Sequence, residues 1–117
     1  MTQDLDHDER VPGFTVYADP PWLFHLSGEL DVATTPALTD ALQAQIRHGG
    51  SIGLDLAKLT FMDSSGINAI CRAARLLGDR GRIVVLNLPR SIRRIVAISG
   101  IDGVIDIDEE SSSMQLG

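Results

Sequence analysis

Within one short turn, Asp63-Ser64-Ser65-Gly66, the hydrophobic period of this chain changes from that of a strand to that of a helix. Ile52, Leu54 and Leu56 alternate, and the strand they begin runs on through Leu59-Thr60-Phe61-Met62. Directly after the turn, Ile67, Ile70, Cys71, Ala74 and Leu77 fall on one helical stripe that stops before Gly78. A strand that feeds a helix with no intervening loop is the unit from which α/β layers are built. It also places serines where several backbone N–H groups lack intrahelical partners and the helix dipole is positive. A serine there can cap the helix, hold an anion or carry a phosphate.

The remaining elements repeat the same alternation. Phe14–Tyr17 and Trp22–Leu26 read as two strands around Asp19-Pro20-Pro21, a turn composition. A first helix is expected with Thr35 as N-cap and Pro36 as its first residue, carrying Leu38, Leu42 and Ile46 and ending at Gly49-Gly50. Ile83–Leu88 is a continuous apolar run, the pattern of a central strand covered on both faces. Ser91 is placed to cap a third helix through Ile92, Ile95 and Val96 to Gly100, and Val104–Ile107 reads as a last short strand. The order β-β-α-β-α-β-α-β predicts one α/β domain with a mixed, mostly parallel sheet and right-handed crossovers. That domain is expected over residues 13–108, between a flexible acidic tail at 1–12 and a flexible C-terminal tail at 109–117.

At 117 residues the chain is long enough for one core that needs neither metal nor disulfide. Cys71 is the only cysteine, so the composition suits a reducing cytoplasm. No apolar run approaches the ~20 residues of a membrane span, and no signal segment opens the chain. The expectation is a soluble cytoplasmic protein with no membrane association. The net charge of −6 is unevenly placed. Acidic residues crowd both ends, while Arg72, Arg75, Arg80, Arg82, Arg90, Arg93 and Arg94 lie between, opposed locally by Asp79. Acidic balance and a scarcity of aromatic residues argue against direct nucleic-acid binding. The arginines read either as solvated helix faces or as a surface that steers an acidic protein partner.

Catalytic constellations are scarce. His7, His25 and His48 stand apart without a triad pattern, and no G-x-S-x-G elbow is present. Asp63 beside Ser64 does not make a nucleophile, because attack needs a positioned base. Cys71 falls on the apolar stripe of its helix and reads as a core residue. There is neither a glycine-lysine phosphate loop nor a cluster with metal-ligand spacing, so no cofactor or metal is expected and the chain reads as a non-enzyme. One carboxylate outside the turn stands out. Ser27-Gly28-Glu29-Leu30-Asp31 leaves the second strand, and strand ends in an open α/β sheet gather on one edge where ligands bind. Asp31 can therefore converge with Asp63–Gly66, or simply cap the turn before Thr34-Thr35-Pro36.

Ser27-Gly28-Glu29-Leu30-Asp31, together with Asp55-Leu56 and Phe61-Met62-Asp63-Ser64-Ser65-Gly66, resembles a STAS domain of the stand-alone bacterial anti-sigma factor antagonist class. The separation of these motifs, the element order and the later Gly100-Ile101 strengthen the match, which covers residues 13–108. The resemblance implies a partner switch. The unphosphorylated protein binds an anti-sigma factor, which is also a serine kinase of the histidine-kinase-like ATPase fold, and the sigma factor is released. Phosphorylation of the serine after the motif aspartate, here Ser64, turns binding off, and a metal-dependent serine phosphatase restores it. Asp31 and Asp63 would lie beside that site, Ser65 would be an alternative acceptor or a capping hydroxyl, and Gly66 would let the partner approach closely. The resemblance also implies a fourth, C-terminal helix, for which Glu109–Gly117 lacks the apolar periodicity. Two alternatives remain from the same residues: a STAS subunit of a membrane transporter or stress-signalling complex, and a domain that uses the turn to hold a nucleotide.

Overall fold

Among the described residues, each α-helix joins two parallel strands that are immediate neighbours in the sheet. A computed structural model describes residues 9–108. In chain order the elements are β1 (Glu9–Val11), β2 (Phe14–Ala18), β3 (Leu23–Leu30), α1 (Thr35–His48), β4 (Ile52–Met62), α2 (Ser64–Leu77), β5 (Ile83–Leu86), α3 (Arg90–Ser99) and β6 (Asp106–Ile107). The six strands follow one another across the sheet in sequence order. The pairs β1–β2 and β2–β3 are antiparallel, and β3–β4, β4–β5 and β5–β6 are parallel. Right-handed crossovers that always step the same way place every helix on one face. Accordingly α1 packs on α2 and α2 on α3, over a single core that includes Phe24, Leu26, Leu54, Leu56 and Ile83. Each such fully buried side chain contributes about 2 kcal/mol of transfer free energy.

The mixed, mostly parallel sheet agrees with the sequence expectation, and four details differ. Glu9–Val11, expected within the flexible tail, forms an edge strand whose Val11 pairs with Phe14 across the Pro12-Gly13 turn. The Ile83–Leu88 run is not covered on both faces: in β5 only Ile83 and Val85 are buried, while Val84 and Leu86 are half-buried on the helix-free face. Apolar content alone does not say whether a second layer exists to cover it. The caps fall one or two residues early, on Thr34 for α1 and Pro89 for α3, so Pro36 is the second residue of its helix and Ser91 lies inside its own. Val104 and Ile105 precede β6 in a turn after the 3-10 segment Ile101–Gly103, which leaves a strand of two residues. The expected tails at 1–8 and 109–117, and with them the question of a fourth helix, lie outside the described residues.

Strand β4 carries the site, and its pairing with β3 is irregular. His25 pairs with Asp55 but Ser27 with Lys58, and Gly28 pairs with Leu59 but Glu29 with Phe61. At each step β4 holds one extra residue, which is the definition of a bulge. The buried side chains of this stretch therefore recur at Leu56, Leu59 and Met62, every third residue instead of every second. Opposite the second bulge, Gly28 has φ +96° and lies against the Gly13 carbonyl, which accepts a hydrogen bond from the Glu29 N–H at 2.9 Å.

Candidate functional site

Two loops leave one edge of the sheet side by side. Leu30 ends β3 and Met62 ends β4; these residues pair, and the Asp63 N–H donates to the Leu30 carbonyl at 3.3 Å. Asp31 and Asp63 therefore each follow directly on a paired strand end, side by side just beyond the sheet. The Asp31 carboxylate does cap its own turn: Oδ1 accepts from the N–H groups of Ala33 (3.0 Å) and Thr34 (3.2 Å). Thr34 completes the turn, its hydroxyl accepting from the Asp31 N–H at 2.9 Å and donating to the Glu29 carbonyl at 2.8 Å. Asp31 Oδ2 has no hydrogen-bond partner among the described residues, and the residue is half-buried.

At the start of α2 the capping is done by Asp63. Its backbone is extended (φ −112°, ψ −168°), its Oδ1 accepts from the Ser65 N–H at 2.9 Å, and its carbonyl accepts from Gly66 and Ile67. An aspartate in this position satisfies an orphan donor and places negative charge on the positive end of the dipole. Both serines are thereby relieved of the role. Ser64 is exposed and Ser65 half-buried, and neither hydroxyl has a hydrogen-bond partner among the described residues. Gly66 turns inward: it is buried, and a Cβ there would sit 2.7 Å from Met62 Cγ and 2.9 Å from Leu30 Cδ2. Its missing side chain makes room for the core beneath the loops. Two exposed apolar side chains, Val32 (74%) and Phe61 (46%), follow Asp31 and precede Met62 on the same sheet edge.

Below Ser65 the two helices leave a groove of about 530 Å³, lined by Thr35, Thr39 and Asp40 of α1 and Ser65, Asn68, Arg72 and Arg75 of α2. The sequence reading did not single it out. Its signal was present, since Ser65, Asn68 and Arg72 recur at i, i+3 and i+7 as a polar counterpart to the buried stripe. Cys71, at the edge of that stripe, is half-buried against the core, and Arg75 Nη2 lies 3.4 Å from its sulfur.

Asp55, one of the residues carrying the family resemblance, lies elsewhere. It sits near the start of β4 on the helix-free face, bonded to His25 Nδ1 (2.9 Å) and to Asn87 Nδ2 (3.0 Å), with the Ala57 N–H at 3.0 Å. His25 stacks on Tyr17 with ring centroids 4.8 Å apart, and its Nε2 is 3.1 Å from the Asp19 carbonyl. The histidine is thus a satisfied structural residue in a polar network that spans β2, β3 and β4 and reaches Asn87 just after β5. Partial burial pushes the Asp55 carboxyl up, but the hydrogen bonds from Asn87, Ala57 and His25 together outweigh it and hold the group below the ordinary value. A depressed native pKa stabilises the fold above the unfolded value of about 3.9, and the contribution is lost as pH falls through the native value. The difference in thermal midpoint between wild type and Asp55→Asn, followed from pH 5 downwards, is expected to shrink below about pH 4. A difference that stays constant to about pH 2 would show that the charge on Asp55 adds nothing.

Among the described residues no group of three His, Cys, Asp or Glu side chains is placed to hold a metal, and no helix is long and apolar enough to cross a membrane. Comparison with known proteins places this geometry. The chain is 29% identical over 91 residues to the anti-sigma-B factor antagonist of Listeria monocytogenes, covering 76% of this chain and 80% of that one. Its fold is similar to the anti-sigma factor antagonist SpoIIAA in unphosphorylated form, with a TM-score of 0.65, 24% identity and coverage of 86% of this chain and 92% of that one. The phosphorylated form of SpoIIAA from Bacillus is also similar, with a TM-score of 0.59, 24% identity and coverage of 89% and 99%. The family model described as "Mlab, STAS domain" matches residues 21–107, and the chain belongs to the STAS domain family.

Proposed function

We propose that this chain is a non-catalytic, cytoplasmic anti-sigma factor antagonist controlled by reversible phosphorylation of Ser64. Unphosphorylated, it binds an anti-sigma factor that is also a serine kinase of the histidine-kinase-like ATPase fold, and the sigma factor is released. Phosphorylation of Ser64 ends that binding, and a metal-dependent serine phosphatase restores it. The observation that carries the reading is the division of labour at the start of α2, where Asp63 caps the helix and Ser64 is left exposed with an unbonded hydroxyl. A phosphate on Ser64 would stand at the positive end of the helix dipole, so the domain itself tolerates it. The free oxygen of Asp31, the carboxylate of Asp63 and the hydroxyl of Ser65 form the surroundings a partner would meet, while Gly66 fixes the loop from below. The match to antagonists from other bacteria supports the same reading.

The test uses the cognate anti-sigma kinase with Mg-ATP and intact-mass detection. Wild type is expected to gain one phosphate and Ser64→Ala none, with activity retained on Ser65→Ala. Labelling that persists in Ser64→Ala and vanishes in Ser65→Ala would move the acceptor to the neighbouring residue.

A further inference from the structure

Seven arginines lie in the central stretch of the chain, and the fold accounts for them unequally. Arg80 donates to the carbonyls of Ile46 (2.9 Å) and Leu76 (2.8 Å), tying together the last turns of α1 and α2 where the dipoles are negative. Arg82 pairs with Asp106. Arg72, by contrast, has no hydrogen-bond or ion-pair partner among the described residues, and Arg75 reaches only the sulfur of Cys71. Both line the α1–α2 groove, where the single carboxylate is Asp40. The groove therefore carries surplus positive charge in a chain whose net charge is −6.

We infer that this groove is a second contact zone for the protein partner that reads Ser64, and that Arg72 and Arg75 receive an acidic segment of that partner. The inference rests on the proposed function and extends it from one residue to a footprint. Continuity is direct: Ser65, which follows the proposed acceptor, is itself one of the residues lining the groove. Charge supplies the rest. The sheet edge presents Asp31 and Asp63, and the groove presents, about two and three helical turns beyond Ser64, two guanidiniums whose planar forks match carboxylates. A surface negative at one end and positive at the other accepts a partner in one orientation only, with basic groups over the loops and acidic groups over the groove. Groove hydroxyls and the Asn68 amide supply hydrogen bonds around that contact.

The test measures affinity for the cognate anti-sigma kinase by titration calorimetry. Compared are wild type, Arg72→Glu/Arg75→Glu, the neutral pair Arg72→Gln/Arg75→Gln, and Arg90→Glu/Arg94→Glu, which makes the same charge change on exposed positions of α3. The groove reversal is expected to weaken binding about tenfold or more at low salt, the neutral pair less, and the α3 reversal under about twofold. Raising the salt should narrow the gap between wild type and the groove variants. Thermal unfolding of each variant excludes loss of fold. Equal weakening by the groove and α3 reversals would reduce the effect to net charge and overturn the inference. Unchanged partner affinity with altered self-association would assign the groove to a second copy instead. If wild type does not bind the kinase, the proposed function falls as well; if wild type binds and the groove reversal is silent, only the groove assignment falls.

Discussion

Stoichiometric phosphorylation of Ser64 is expected to weaken binding of the anti-sigma kinase more than about a hundredfold while leaving the fold intact. The modification adds roughly 1.5 to 2 negative charges and three acceptor oxygens to a site that already holds Asp31 and Asp63. A partner surface fitted to two carboxylates and a small hydroxyl would have to desolvate a dianion, and a loss of ~3 kcal/mol is a factor of more than one hundred in Kd. The domain itself feels little of this. Ser64 is exposed, and at the first residue of α2 the dipole and first-turn N–H groups favour an anion. The thermal midpoint should move by no more than about 2 °C, the equivalent of a few tenths of a kcal/mol in a domain of this size. Ser64→Asp supplies one charge nearer the backbone and should give a smaller loss in the same direction. A hundredfold loss accompanied by a large fall in midpoint would replace this electrostatic and steric mechanism with a conformational one. An affinity that changes less than about threefold on phosphorylation would remove the switch itself.

Gly28→Ala is expected to destabilise the domain by about 2–5 kcal/mol, a large effect for a single methyl group added near the site. Two physical terms add. At φ +96° an L-residue is in a region that costs about 1–2 kcal/mol. The new Cβ would lie 2.1 Å from the Gly13 carbonyl oxygen and 2.9 Å from its carbon. Backbone is what it meets, so relief requires β2 to move away from β3 and the Glu29–Gly13 hydrogen bond to stretch, an overpacking cost of about 1–3 kcal/mol. The thermal midpoint should fall by more than about 10 °C. Gly103→Ala, where nothing lies within 4 Å of the added methyl and φ needs no glycine, serves as the neutral control. A fall of less than about 3 °C for Gly28→Ala would mean the hairpin relaxes at little cost.

Much of this fold can be read directly from residue order because the relevant signals are local. The period change at Asp63–Gly66 marks the turn in which α2 starts, and the apolar alternation in β3 and β4 sets their inward faces. What was not legible depends on contacts distant in sequence. Whether Val84 and Leu86 are covered depends on which face the helices take, and nothing in Ile83–Leu88 encodes that. Polar Glu9-Arg10 resembles a tail until Phe14–Val16 offers it a pairing edge. For the site, the turn named the serines but could not say which side chain would cap α2, since Asp63, Ser64 and Ser65 are all competent. That Leu30 closes on Gly66 from beneath is not legible either, because it arrives from the end of β3. The His25–Asp55–Asn87 network was invisible for the same reason, its members lying about thirty positions apart.

The two bulges of β4 have a further consequence for how such a domain can change over generations. Every extra residue in a strand reverses which face the following side chains address. With two of them, the reversals cancel: Met62 points back to the core, Phe61 away from it, and α2 leaves the sheet on the helix side with Ser64 at its tip. The aim of Ser64, the proposed acceptor, is therefore a matter of parity in the strand before it. Loop chemistry between Asp63 and Gly66 can be exchanged one side chain at a time, whereas a single insertion or deletion between Asp55 and Met62 would turn the end of β4 and the start of α2 to the opposite face. Length in this segment is a stricter inheritance than identity.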